Sequence, residues 1–205
     1  MSQASIQDHP ARLKWNKRFS EGGFRAFPDD PAEWLVDNTT FLKEAAPGRA
    51  LDVACGNGRN AAYLAKLGFH VDALDISDVA IDGLQAAASE RGLSVTPQLT
   101  DLEDDPLPVG EYDVVVNVSY LQRNLMTALE QALRPGGLLL FETVAMAHVE
   151  ELGHSFNPKY VLERNELLHT FEAMFVRRYW EGAVQRGGDS GALRGVASLA
   201  AERLA

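Results

Sequence analysis

Apolar and polar residues alternate in a regular way through the middle of the chain, from residue 49 to residue 143. Short apolar runs, which predict strands, alternate there with longer stretches whose apolar residues recur every three or four positions, as on one face of a helix. The predicted strands cover residues 50–54, 71–74, 95–99, 112–118 and 138–141. The predicted helices cover residues 60–67, the stretch from the capping residue Ser77 to Gly92, and residues 121–133. This alternation is typical of a parallel sheet with helices on both faces.

The end of the chain has a different pattern. A helix is predicted over residues 163–171, followed by strands over 174–180 and 193–202 that are separated by the turn-rich stretch 182–191. Because no helix lies between these two strands, we expect an antiparallel hairpin at one edge of the sheet. A helix over residues 197–204 is the alternative for the last segment. Pro97 lacks a backbone donor, so the strand over residues 95–99 is also expected at an edge.

These patterns predict an α/β fold. The expected architecture is a Rossmann-like, doubly wound, mostly parallel sheet of seven strands, with a C-terminal antiparallel hairpin and helices on both faces. Residues 1–48 and 144–159 show no regular period and are expected to be irregular. The length of 205 residues favours a single domain.

The composition excludes several classes of partner. The chain has 29 acidic and 19 basic side chains, hence a formal net charge of −10, which disfavours nucleic acid and anionic membranes as partners. No apolar run is long enough to span a membrane, and the first residues lack a signal-peptide pattern, so a cytoplasmic protein is predicted. The single cysteine, Cys55, excludes an internal disulfide and a multi-thiolate metal site, and we interpret it as a packing residue.

A glycine-rich loop follows the first predicted strand and opens the first predicted helix. Gly56 and Gly58 allow the backbone to turn sharply and to approach a ligand, and the helix N-terminus offers free N–H groups to an anion. The spacing G-x-G-x-x-A fits the binding of a dinucleotide and of S-adenosylmethionine alike.

Three aspartates lie at the carboxyl ends of consecutive predicted strands: Asp52, Asp75 and Asp101. Asp75 suits ribose hydroxyls with either cofactor. Asp101 suits the adenine amine, but it equally suits a solvated surface run with Glu103, Asp104 and Asp105. Asp52 separates the two cofactors, because a carboxylate repels a pyrophosphate but attracts the sulfonium and ammonium groups of S-adenosylmethionine. A like-charge contact at about 4 Å and an effective dielectric constant near 20 costs about 4 kcal/mol. The charges therefore favour S-adenosylmethionine.

Three stretches of sequence resemble the class I S-adenosylmethionine-dependent methyltransferases. LDVACGNGRNAAYLAKLGFHVDALDIS is similar to the first two motifs of that family, and YDVVVNVSYLQR and LRPGGLLLFET are similar to its fourth and fifth strands. The C-G-x-G-R-N spelling is most similar to the tellurite-resistance and thiopurine methyltransferase branch. The segment Trp15-Asn16-Lys17-Arg18-Phe19 also resembles the N-terminal segment of that branch, which folds over the cofactor.

The resemblance implies a set of residues around the cofactor: Trp15, Asp52, Ala54, Gly56, Gly58, Asn60, Asp75, Ile76, Asp101, Leu102, Asn117 and Val118. One departure is visible, because the family usually has glycine where this chain has Ala54. Four aromatic residues near the N-terminus, Trp15, Phe19, Phe24 and Phe27, are expected to form an apolar lid over the carboxyl edge of the sheet. A plain helix packed on the core is the alternative.

The irregular stretch after the fifth strand is the candidate acceptor loop, with polar and aromatic residues at Glu142, His148, His154, Asn157 and Tyr160. His148 and His154 are candidate general bases, and Arg123 is a candidate ligand for an anionic acceptor. Ordinary surface roles for these three residues are equally favoured. A metal site is not expected, because the two histidines are six residues apart and no third ligand is evident.

The sequence thus predicts a methyltransferase that uses S-adenosylmethionine, releases S-adenosylhomocysteine and methylates a small molecule by in-line displacement. An NAD(P)-dependent oxidoreductase is the first alternative, although it leaves Asp52 and Asp101 without a role. A non-enzymatic S-adenosylmethionine-binding protein is the second. Within the single domain, residues 1–47 are interpreted as a lid, 48–143 as the cofactor-binding core, and 144–205 as the acceptor loop and closing hairpin.

Overall fold

A computed structural model describes residues 6–28, 30–185 and 192–205. Its centre is a seven-stranded sheet in the order β3-β2-β1-β4-β5-β7-β6. The strands are β1 (Arg49–Val53), β2 (His70–Asp75), β3 (Val95–Leu99), β4 (Tyr112–Val118), β5 (Leu133–Val144), β6 (Phe175–Gln185) and β7 (Leu193–Glu202). The pairs among β1 to β5 are parallel, whereas β7 runs antiparallel to both β5 and β6. The predicted fold class is confirmed, and β3, which contains Pro97, is an edge strand as expected.

Helices cover both faces of the sheet. In the described part of the chain they are α1 (Pro10–Glu21), α2 (Glu33–Asp37), α3 (Thr39–Ala45), α4 (Arg59–Lys66), α5 (Asp78–Arg91), α6 (Met126–Ala132), α7 (Ala147–Glu150) and α8 (Glu166–Thr170). Single 3-10 turns occur at Arg123–Leu125 and Pro158–Tyr160. None of the helices in the described ranges is long and apolar enough to cross a membrane.

Two apolar clusters, one on each face, form the core. On the first face, which we call the α6 face, Leu51, Val53 and Val115 pack with residues of α6 and α8. On the second, the α4 face, Ala50 and Val116 pack with residues of α2 to α5. Successive residues of a strand point to opposite faces, so Asp52 shares the α4 face with Ala50.

The N-terminal region departs from the expectation that it is irregular, because α1, α2 and α3 lie within it. Helix α1 has no buried residue, so its sequence lacks the apolar stripe by which a helix is normally predicted. Phe27, expected in the lid, instead belongs to the α4-face cluster and is only 2% exposed.

Several boundaries also differ from the prediction. The helix expected over residues 121–133 is shortened to a 3-10 turn and α6, because Leu133 already pairs with Tyr112 in the sheet. Strand β6 continues beyond residue 180 to Gln185, so the hairpin turn begins later than predicted, and residues 186–191 lie outside the described ranges. The alternative of a helix over residues 197–204 is wrong, because β7 is paired with strands on both sides.

Candidate functional site

In the loop between β1 and α4, three of five consecutive residues have a left-handed backbone conformation. The φ angles are 52° at Ala54, 56° at Gly56 and 77° at Gly58. A Cβ atom at Gly58 would lie 2.7 Å from both Leu84 Cδ2 and Phe27 Cε1, so no larger residue fits there. The loop is thus fixed by backbone conformation and by close packing, and α4 begins directly after it.

Ala54 is the position at which the chain departs from the family pattern, and the structure gives that departure an energetic meaning. A left-handed conformation costs an L-residue about 1–2 kcal/mol that glycine does not lose. The Ala54 methyl group packs against the α6-face cluster, which offsets part of that cost.

Asp75 joins the glycine loop to the start of α5. Its Oδ2 accepts a hydrogen bond from Gly56 N and its Oδ1 accepts one from Ser77 N, each at 2.9 Å. Burial raises the pKa of this carboxyl group, and the backbone donors of Ser77 and Gly56 partly oppose the rise. The carboxylate is therefore held rigidly, with one bond on each oxygen.

Asp52 lies beside the same loop with only 1% of its surface exposed. Burial raises the pKa of Asp52 to about 7, although a backbone bond from Ala61 and the charge of Arg59 act in the opposite direction. Its Oδ2 is buried and has no hydrogen-bond partner. A buried acceptor without a partner is unfavourable by about 1–3 kcal/mol, which a cationic group placed there would relieve.

Asp101 is the third strand-end acid, and it is buried although Glu103 and Asp104 beside it are exposed. Its Oδ1 accepts from Glu103 N at 3.1 Å, and its Oδ2 lies 3.8 Å from Nε2 of His9. Asp101 is therefore set apart from the solvated acidic run around it.

The other predicted cofactor residues are placed less uniformly. Asn60 Oδ1 accepts from Ala32 N at 2.9 Å, so this side chain holds the N-terminal segment. Asn117 Nδ2 donates to Tyr120 O at 2.8 Å. Leu102 belongs to the α6-face cluster, while Trp15, Ile76 and Val118 are half-buried.

Helix α1 lies against this edge of the sheet through residues that the sequence reasoning did not single out. Arg12 Nη2 donates to Asp78 Oδ2 at 2.7 Å, and Asn16 contacts both Asp78 and Ser77. Phe19 Cζ would lie 3.6 Å from a Cβ atom on Gly56, so its ring covers the glycine loop. The rings of Trp15 and Phe19 are 5.9 Å apart and those of Phe19 and Phe24 5.6 Å apart. Residues 9, 12 and 16 share one helix face, but polar residues at this spacing are equally typical of a solvated helix.

His148 lies in α7, just after β5, within the predicted acceptor loop. Its Nδ1 accepts from Gly195 N at 3.3 Å, and its ring meets those of His154 and Phe156 at centroid distances of 4.6 and 5.8 Å. Burial lowers the pKa of His148, and the charges of His154 and Arg194 add to the effect. Because Nδ1 is an acceptor here, the neutral ring carries its proton on Nε2 and acts there as a donor. His154 is exposed.

Arg123 has a full set of partners within the protein. Its Nε and Nη2 bond the two carboxylate oxygens of Glu166 at 2.7 and 2.9 Å, and Nη1 and Nη2 donate to the carbonyl groups of Lys159 and Val161. The hydrogen bond to Glu166 raises the pKa of Arg123. These contacts tie the acceptor loop to the start of α6.

Cys55 is free and buried, and burial raises the pKa of its thiol, as a packing role requires. Within the described ranges, no group of three His, Cys, Asp or Glu side chains is arranged to hold a metal ion.

Comparison with known proteins identifies a methyltransferase domain and its fold. Residues 50–137 match the family model described as a methyltransferase domain. This chain therefore contains a methyltransferase domain. It is 31% identical over 104 residues to a ubiquinone biosynthesis O-methyltransferase of Marinobacter nauticus, a match that covers 47% of this chain and 44% of that relative. This methyltransferase chain therefore spans less than half the length of that curated relative.

Two solved structures have the same fold. TehB from Haemophilus influenzae superposes with a TM-score of 0.69 at 19% identity, over 92% of this chain and 67% of that one. A geranyl diphosphate C-methyltransferase from Streptomyces coelicolor, solved with S-adenosyl-L-homocysteine, gives 0.65 at 13% identity over 99% of each chain. S-adenosyl-L-homocysteine, the product form of S-adenosylmethionine, is thus bound in a protein of this fold.

The residues at the carboxyl edge fit that cofactor. S-adenosylmethionine has two cationic centres near its reactive carbon, and the loop contains a buried carboxylate oxygen, Asp52 Oδ2, that has no partner. The pyrophosphate of a dinucleotide would instead meet that carboxylate as a like charge.

Proposed function

We propose that this protein transfers the methyl group of S-adenosylmethionine to a small-molecule acceptor. The observation that carries the proposal is the buried Oδ2 of Asp52, a carboxylate oxygen without a hydrogen-bond partner beside a glycine loop, with two more buried carboxylates at the ends of the next two strands. When bound, the cofactor supplies an electrophilic methyl group on a positively charged sulfur. The acceptor nucleophile attacks the methyl carbon in line with the departing sulfur, and S-adenosylhomocysteine is released.

In this proposal each acid has a separate task. Asp52 stabilises the cationic methionyl end. Asp75 accepts the ribose hydroxyls with the lone pairs that Gly56 and Ser77 do not use, since a carboxylate has about four acceptor positions. Asp101 accepts the adenine amine, with Leu102 and Ile76 beside it. Gly56 and Gly58 let the backbone approach the methionyl group, and Asn117 and Val118 form the floor.

The contribution to rate is mainly alignment and exclusion of water. Holding two reactants in register contributes up to about 7–11 kcal/mol. A thiolate, a metalloid anion or a neutral amine already has a free lone pair for the attack, so it needs no obligatory acid or base. His148 donates from Nε2 to an acceptor oxygen in this proposal and does not serve as the base, because its Nδ1 is already bonded to Gly195. Arg123 keeps the loop in place through Glu166.

A small acceptor is supported by charge and by the placement of the described segments. The formal net charge of −10 disfavours a polyanionic acceptor. In the described ranges outside the predicted core of residues 48–143, α1 to α3 cover the sheet, and β6 and β7 complete it. The acceptor loop lies between these elements.

Calorimetric titration with S-adenosylmethionine, S-adenosylhomocysteine and NADH tests the proposal. Binding of the first two alone is the expected result, and binding of NADH alone would overturn it in favour of an oxidoreductase. Asp52→Asn should weaken binding of S-adenosylmethionine, whereas Asp82→Asn, at an exposed position of α5, is the matched control. Transfer of radiolabelled methyl groups to thiol, phenol, amine and tellurite acceptors then follows. Cofactor binding without transfer to any of them would favour the non-enzymatic alternative.

A further inference from the structure

Helix α1 presents one polar face to the acids at the carboxyl ends of β2 and β3. His9, Arg12 and Asn16 are spaced at i, i+3 and i+7, and the residues that they meet are Asp101, Asp78 and Ser77. Because α1 has no buried residue, these polar contacts and its aromatic rings, rather than a buried stripe, attach it to the domain.

A continuous set of hydrogen bonds leads from α1 to Asp75. Asp75 Oδ1 accepts from Ser77 N at 2.9 Å, and Ser77 Oγ donates to Asn16 Oδ1 at 2.6 Å. Asn16 Nδ2 then donates to Asp78 Oδ1, whose other oxygen accepts from Arg12. Burial acts to raise the pKa of Asp78, but the bonds from Asn16 and Arg12 outweigh it and hold the pKa below its usual range. Asp78 is therefore the anionic anchor of α1.

We infer that Asn16 is a positioning residue for the cofactor. Through Ser77, Asn16 couples the docking of α1 to the carboxylate of Asp75. The inference rests on the proposed function, since it gives Asp75 the ribose. Asp75 accepts a hydrogen bond from the glycine loop with one oxygen and from the Ser77 backbone with the other. A shift of Ser77 would therefore move the carboxylate relative to the glycine loop. Phe19 on the next turn of α1 covers Gly56 and links the same helix to the same loop.

The chemistry at position 16 is specific. The side chain accepts from a hydroxyl and donates to a carboxylate at once, which asparagine does and aspartate does not. An aspartate there would keep the bond from Ser77 but would face Asp78 with a second negative charge. If position 16 only filled space, asparagine and aspartate there would have the same effect.

Coupling between two sites is reciprocal. If docked α1 strengthens cofactor binding, then the bound cofactor must protect α1 from opening. The helix amides provide a readout of that protection that does not depend on turnover or on knowing the acceptor.

The test compares Asn16→Ala, Asn16→Asp and the control Lys17→Ala. Lys17 is on the same helix, and its recorded contact is an exposed one to Glu21 at 3.9 Å. Asn16→Ala should weaken S-adenosylmethionine binding about tenfold, as expected when a hydrogen bond to a charged group is lost. Asn16→Asp should weaken it further, and Lys17→Ala should leave it unchanged. The cofactor should slow amide exchange in α1 of the wild type and of Lys17→Ala, but not of Asn16→Ala.

Ser77→Ala removes the hydrogen bond between Ser77 and Asn16 from its other end. Together with the double variant, the two single variants form a double-mutant cycle, measured as dissociation constants for S-adenosylmethionine. The two changes should be less than additive. Unchanged binding in both single variants, or full additivity, would overturn the inference while cofactor binding by the wild type leaves the proposed function standing. Equal effects of Asn16→Ala and Asn16→Asp would also overturn it. Failure of the wild type to bind S-adenosylmethionine would instead remove the proposed function itself.

Discussion

The two halves of the carboxyl edge of the sheet are built differently. Over β1, β2 and β3, the strand-end acids are buried, the glycine loop is closely packed, and Asp75 is bonded on both oxygens. Over β5 and β7, the segment that carries His148 exposes His154, Phe156 and Tyr160 to solvent. The first half is held by contacts within the protein, whereas the second presents side chains to solvent.

This difference separates the two parts of the proposed reaction. A preorganised half suits a ligand that is always the same, because little is lost in ordering the protein when it binds. An exposed loop suits an acceptor that differs among related enzymes, because loops tolerate change more readily than packed elements do. Substitutions in the first half should therefore change cofactor affinity, and substitutions in the second should change the acceptor and leave cofactor affinity intact.

The largest expected effect follows from Asp75→Ala. This change removes the proposed acceptor of two ribose hydroxyls and also releases Gly56 and Ser77. Affinity for S-adenosylmethionine should fall by about 100-fold or more, since hydrogen bonds to charged groups contribute about 1.5–3 kcal/mol each. Calorimetry measures this, with Asp82→Ala as the exposed control. A folded Asp75→Ala variant of unchanged affinity would take Asp75 out of the site.

The next effect concerns pH and Asp52. The pKa of Asp52 is raised by burial from 3.8 to about 7, so the folded protein binds this proton more tightly than the unfolded chain does. The free energy of unfolding should therefore fall as pH rises from about 4 to about 7, because the buried carboxyl group then ionises. A bound cation reverses the preference, so affinity for S-adenosylmethionine should rise through the same interval.

Asp52→Asn should remove both trends. At pH 8 the variant without ligand should be more stable than the wild type, because no charge is buried, while its affinity for S-adenosylmethionine should be about tenfold lower. Thermal unfolding and calorimetry from pH 5 to pH 8 measure the two quantities. An affinity that does not depend on pH in the wild type would contradict the role given to Asp52.

The preorganised half was also the more predictable one. The glycine loop and the strand-end acids are signals within a few residues of sequence, and the alternation of strands and helices is enough to bring Asp52, Asp75 and Asp101 to one edge. Their burial, and the unpartnered oxygen on Asp52, depend on packing from other elements and have no local signature.

Contacts between distant residues explain what could not be predicted. Asn16 and Asp78 are 62 positions apart, and Arg123 and Glu166 are 43 apart. Because a polar residue on a helix is usually solvated, nothing near Asn16 or Arg123 in the sequence indicates such a partner. The interpretation of Arg123 as an anion ligand stays a prediction, and its bonds to Glu166 favour a structural role.

In the exposed half, His148 should affect the acceptor alone. Asparagine at position 148 keeps a hydrogen-bond acceptor close to the position of Nδ1 but loses the hydrogen-bond donor at Nε2. Glutamine keeps that donor. His148→Asn should lower kcat/KM for an oxygen-containing acceptor about three- to tenfold, and His148→Gln should lower it less. Neither should change S-adenosylmethionine affinity, and His169→Asn, at an exposed position of α8, is the control. Equal losses in both variants would point to a general base instead.

The smallest effect is expected in the glycine loop, at Ala54. It measures how much backbone strain this position adds to the folded protein. Ala54→Gly relieves a left-handed conformation at φ 52°, worth about 1–2 kcal/mol, but loses a packed methyl group and gains chain entropy in the unfolded state. These contributions nearly cancel, so the free energy of unfolding should stay within about 0.5 kcal/mol of the wild type. Ala86→Gly, at an exposed position inside α5, should lose about 1 kcal/mol in the same denaturant titration. If Ala54→Gly destabilises as much as Ala86→Gly, Ala54 is not strained, and the rigidity of the cofactor half comes from packing alone.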